Sequence, residues 1–97
     1  DVSTGGIMSG VSIPVKPNYQ VPFSEQVKAK ADIPVTAVGL ITKPKQAAKI
    51  LAHGEADAVE IGRAALRDPY WPLRAANKLG IPSTEIPYAP QYVAGAY

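Results

Sequence analysis

Ala58-Val59-Glu60-Ile61-Gly62-Arg63-Ala64-Ala65-Leu66 decides how this chain folds. The stretch reads as a short buried strand, then a Gly-Arg turn, then the first turn of a helix. A second strand-to-glycine unit precedes it, Val35-Thr36-Ala37-Val38-Gly39-Leu40-Ile41-Thr42. The two strand ends, Val38 and Ile61, lie about 23 residues apart, with a helical pattern between them. Alternation at that spacing implies βα units and a parallel sheet. Both glycines should then fall at one edge of that sheet.

The rest of the chain bounds the reading. Its 97 residues suffice for one small domain, and 46% apolar residues suffice for a core. Ten basic residues are scattered among eight acidic ones, so no block of charge argues for nucleic acid. Cysteine is absent, which excludes disulfides and thiolate metal sites. No apolar run is long enough for a bilayer, and the N-terminus does not resemble a signal peptide; a soluble cytoplasmic protein is expected. Asp1-Val2-Ser3-Thr4-Gly5-Gly6 reads as a strand end entering a loop, which suggests a fragment of something larger.

Outward from the two strands, residues 1–21 are broken by Gly5, Gly6, Gly10, Pro14, Pro17 and Asn18 and read as a long loop. A helix is expected over residues 22–31, with Pro22 in its first turn and Phe23, Val27 and Ala31 as its buried stripe. Pro34 opens the strand Val35–Val38. Thr42 is the expected N-cap of a helix from about Lys43 to His53, with Pro44 in its first turn and Gly54 just past its end. Asp57–Ile61 forms the next strand, with Asp57, Val59 and Ile61 on one face and Ala58 and Glu60 on the other. Asp68-Pro69 should cap a last helix over about Pro69–Lys78, ended by Gly80. Residues 81–97, with Pro82, Pro87, Pro90 and three tyrosines, read as an extended tail.

Two full strands and one stub cannot close a barrel, and parallel sheets are covered on both faces, so the sheet looks incomplete. Glu60 is expected to be buried on the open face, with its partner outside this chain.

Ligands bind at the carboxyl ends of strands in parallel α/β folds. Glycine lets the backbone approach a ligand, N–H groups at a helix start favour anions, and Arg63 adds a charge-assisted contact. Gly39 and Gly62 can each be an ordinary turn; in successive βα units, one followed by arginine, they make an anion or phosphate cradle a real alternative. His53 sits where a surface histidine offsets a helix dipole. No serine, histidine and acid are spaced as a triad, and no metal-ligand spacing exists, so catalytic residues are not expected here. Tyr70-Trp71 suits packing, and Tyr88, Tyr92 and Tyr97 suit either an interface or a free end.

In order, Asp1-Val2-Ser3-Thr4-Gly5, Tyr19-Gln20-Val21-Pro22-Phe23, Ala37-Val38-Gly39-Leu40-Ile41-Thr42, Ile61-Gly62-Arg63 and Asp68-Pro69-Tyr70-Trp71-Pro72 resemble the C-terminal part of Old Yellow Enzyme family ene-reductases, in the YqjM-like and thermophilic subgroup. The resemblance implies a (β/α)8 barrel holding FMN, reduced by NADPH or NADH, that reduces the activated C=C bond of α,β-unsaturated carbonyl compounds. This chain would supply the end of strand 6 and strands 7 and 8 with their helices. By position, Val38 and Gly39 would meet the flavin through backbone groups, and Gly62 and Arg63 would hold its phosphate. Partners implied are the remainder of the barrel, an enone and a second copy in a homo-oligomer. The family's substrate-binding histidines and proton-donor tyrosine lie on earlier strands. The subgroup's Gln-Tyr-x-Arg-Gly-Trp tail reads here as Gln91-Tyr92-Val93-Ala94-Gly95-Ala96, with Ala94 in place of the arginine that reaches a neighbouring subunit. Apart from an oxidoreductase, a partial barrel that binds a phosphorylated ligand without redox chemistry, or that only assembles with another chain, also fits the residues.

Overall fold

The computed structural model describes residues 1–97. Its element order is α1 (Val21–Lys30), β1 (Thr36–Val38), α2 (Pro44–Ala52), β2 (Ala58–Glu60), α3 (Arg63–Arg67) and α4 (Trp71–Lys78), followed by short 3-10 turns at Ser83–Glu85 and Pro90–Gly95. β1 and β2 pair in parallel, with Thr36 opposite Ala58, Ala37 opposite Val59 and Val38 opposite Glu60. Val2 forms a parallel bridge to Ala37 on the other side of β1, so the expected strand stub is present. The α/β reading and the parallel pairing therefore hold, although each strand is only three residues long.

The core lies between one sheet face and the helices. Val21, Ala37, Ile41, Ala47, Ile50, Ala56, Ala64, Trp71 and Ala75 form one cluster, and Val59 and Ile61 pack against it. α2 shows why the helical pattern was readable. Ala47 and Ile50 face inward, Pro44 sits in the first turn, and Gly54 just past the end has φ +68°, where a side chain would be strained. Asp57 joins the entries of the two strands: the Val35 N–H donates to its carboxylate at 2.8 Å, and the Asp57 N–H donates to the Val35 carbonyl at 2.8 Å. No helix is long and apolar enough to cross a membrane.

Several expectations are corrected. α1 does not bury Phe23 and Val27, which stay 44% and 37% exposed; Val21 and Ser24 face inward instead. Ser24 can occupy a core position because its hydroxyl lies 2.8 Å from the Val21 carbonyl and 3.0 Å from the Glu55 carbonyl. Lys43, not Thr42, is the residue before α2, and the Gln46 side chain accepts the N–H groups of both Thr42 and Lys43. Asp68 ends α3 rather than opening α4, and its carboxylate takes the Arg74 Nε–H at 2.6 Å. α4 begins at Trp71, with Pro72 in its first turn. The tail is not extended throughout, because two 3-10 turns fold it back. Glu60 is exposed and makes no ion pair. Within this chain its sheet face is uncovered, so the carboxylate is solvated and pairs with no residue of these 97.

Candidate functional site

The turns that follow β1 and β2 meet in a cleft of about 200 Å3. Gly39, Gly62 and Arg63, three of the four residues singled out from the sequence, line it together with Tyr19, Glu60 and Arg67. Val38 lies just behind; its carbonyl accepts a hydrogen bond from Gln20 Nε2 at 2.9 Å.

The two glycines are required for different reasons. Gly39 has φ +115°, and a Cβ there would stand 2.5 Å from Gln20 Nε2 and 2.7 Å from Tyr19 Cε1. Backbone conformation and packing both demand glycine at that position. The next residue, Leu40, is also left-handed, at φ +49°. That geometry costs an L-residue roughly 1–2 kcal/mol, so something must hold it. A Cβ on Gly62, by contrast, would meet nothing within 4 Å. It would project into free space beside the cleft, so the chain's own packing does not exclude a side chain there. Close approach of a ligand to the backbone is a sufficient reason for glycine.

The donors also fit an anion. No backbone or side-chain acceptor takes the N–H groups of Gly39, Leu40 and Ile41, or those of Gly62, Arg63 and Ala64. Arg63 and Arg67 are four residues apart on α3, both exposed and neither in an ion pair. Against them stands one carboxylate, Glu60, so the lining carries two arginines and one acid. A phosphate group suits this set: it accepts several N–H bonds at once and pairs with guanidinium.

Tyr19, Gln20, Gln46 and Arg67 were not anticipated. Arg67 was discoverable from its i, i+4 relation to Arg63. Gln46 stands three residues into α2 and reaches back to the N–H groups before it, a capping-box position, whereas Gln20 acts across the fold on a backbone group and carries no comparable pattern. His53 sits at the end of α2 with Nδ1 3.4 Å from Glu55 Oε1. Trp71 is buried, as packing requires, whereas Tyr70 is 62% exposed. Tyr70, Tyr88, Tyr92 and Tyr97 line a second cleft of about 440 Å3, where the tail folds against α4.

Two parallel βα units end in glycine turns around one cleft lined by two arginines and one carboxylate, which places the chain in the α/β class with a candidate anion site at the carboxyl ends of its strands. The chain belongs to the NADH:flavin oxidoreductase / NADH oxidase family, whose profile matches residues 8–81. It is 51% identical over 81 residues to an NADPH dehydrogenase of Geobacillus thermodenitrificans, covering 84% of this chain and 24% of that protein. An NADPH dehydrogenase of another Geobacillus is 47% identical over 95 residues, which is 98% of this chain and 27% of that one. One from Listeria monocytogenes is 48% identical over 80 residues, 82% of this chain and 23% of its own. The chain thus spans about a quarter of the length of the curated relatives it matches.

Proposed function

We propose that this chain is the FMN-phosphate-binding part of an NADPH-dependent ene-reductase, built as the end of strand 6 and strands 7 and 8 of a (β/α)8 barrel. The observation that carries the reading is the meeting of the Gly39 and Gly62 turns around one cleft with Arg63. Phosphate sites of such barrels form at the loops after the last two strands and a short extra helix, the arrangement that β1, β2 and α3 reproduce in miniature.

Gly62 would leave room for the phosphate to reach the backbone, and the N–H groups of Gly62, Arg63 and Ala64, which no protein acceptor takes, would hydrogen-bond it. Arg63 balances its charge, with Arg67 next to it. Gly39 lines the other wall, and Val38, behind it, anchors that turn through its carbonyl. When bound, the flavin supplies hydride transfer from the nicotinamide to an activated alkene. The groups that bind the enone belong to the rest of the barrel, and the protein works as a homo-oligomer. NADPH is the preferred donor on the strength of the relatives' names.

The test is flavin absorbance in the purified protein, followed by NADPH oxidation that depends on an α,β-unsaturated ketone. Flavin without enone-dependent turnover would leave the phosphate site standing and remove the ene-reductase assignment.

A further inference from the structure

Two glutamine amides grip the turn after β1, one on the residue before Gly39 and one on the residue after it. Gln20 is 3% exposed; its Oε1 accepts the N–H of Thr4, and its Nε2 donates to the Val38 carbonyl at 2.9 Å. Gln46 Oε1 accepts from the N–H groups of Thr42 and Lys43 at 3.0 and 3.3 Å. Its Nε2 donates to the Leu40 carbonyl at 2.9 Å and to Asn18 Oδ1 at 2.6 Å.

In a trans peptide the C=O and the following N–H point in opposite directions, and no peptide bond here is cis. Gripping the Val38 carbonyl therefore aims the N–H of Gly39, and gripping the Leu40 carbonyl aims the N–H of Ile41. Both N–H groups lack a partner in the protein, and both residues line the cleft. Leu40, at φ +49°, would otherwise relax toward negative φ and rotate these peptides.

We propose that Gln20 and Gln46 are positioning residues that pre-orient the Gly39 and Ile41 N–H groups toward the bound anion. The proposal deepens the phosphate-site reading and rests on it. It also makes the N-terminal segment, through Thr4, part of the support of the cradle.

Gln46→Glu is the decisive variant. The carboxylate still accepts from Thr42 and Lys43, and a glutamate in the first turn of α2 suits the helix, but the hydrogen bonds donated to the Leu40 carbonyl and to Asn18 Oδ1 are both lost. In the flavin-loaded protein we expect FMN to bind about three- to tenfold more weakly, because the Leu40 carbonyl is no longer held, with the melting temperature close to the parent's. We also expect the Ile41 amide resonance to shift and its hydrogen exchange to quicken. Unchanged FMN affinity overturns the proposal even if the amide moves. So does an affinity loss matched by a general fall in stability, which would mark Gln46 as merely structural. If the parent protein holds no FMN, the phosphate reading fails on its own, and an unmoved Ile41 amide in Gln46→Glu would separately refute control of the turn by Gln46.

Discussion

Trp71 donates its indole N–H to the carbonyl of Thr42 at 3.0 Å, fastening the start of α4 to the loop that leaves β1. The ring is only 6% exposed and belongs to the core cluster that also holds Ile50 and Ala37. Trp71→Phe keeps most of the apolar volume and removes the donor, leaving a carbonyl unpaired at the cleft wall. It should destabilise by about 1–2 kcal/mol in a denaturant titration. Trp71→Ala should cost about 3–5 kcal/mol, because it also leaves a cavity. Equal losses for the two variants would show that the hydrogen bond, not the packing, carries the anchor.

Asp57 predicts a pH dependence. The hydrogen bond from Lys28, and after it the one from the Val35 N–H, hold its carboxyl below the ordinary value of 3.8, while partial desolvation opposes them. A carboxylate with a lowered folded-state pKa stabilises the fold above the unfolded value and loses that contribution as pH falls through the folded one. The gain is therefore complete at neutral pH and is lost below about pH 3.8. Asp57→Asn should lower the melting temperature at pH 7, and the gap to the parent should narrow in acid. A gap that is constant from pH 7 to pH 2 would contradict the assignment.

The two glycines should separate stability from binding. Gly39→Ala places a Cβ against Gln20 and Tyr19 at φ +115° and should destabilise by about 1–3 kcal/mol. Gly62→Ala meets no protein atom within 4 Å and should change stability by no more than about 0.5 kcal/mol. Its cost should fall on FMN, whose phosphate would meet the new methyl group. Chemical denaturation and flavin titration of both variants check the contrast.

What the sequence made legible follows from which elements speak locally. The strand–glycine junctions at Val38-Gly39 and Ile61-Gly62 were readable because glycine and an apolar run are local signals. α2, with Pro44 at one end and Gly54 at the other, was readable for the same reason. α1 was misread because a serine satisfied by two carbonyls holds the place where an apolar residue was sought. Asp68 was misread because Arg74, six residues on, claims its carboxylate instead of a backbone N–H. Glu60 is exposed within these 97 residues, and the expected partner was placed outside this chain. At the cleft, Gly39, Gly62 and Arg63 were nameable from the turn motif. Gln20 and Gln46 act over 18 and 6 residues on single carbonyls, and no periodicity reports such contacts.

The phosphate claim is tested most directly by comparing FMN with riboflavin, which share the ring and differ in the phosphate. Titrated into the flavin-free protein, FMN should bind roughly 10- to 100-fold more tightly than riboflavin, as expected for about 1.5–3 kcal/mol from charge-assisted bonds. Arg63→Ala should erase most of that preference while leaving riboflavin affinity unchanged. Equal affinity for the two flavins in the parent protein, or an undiminished preference in Arg63→Ala, would contradict the account.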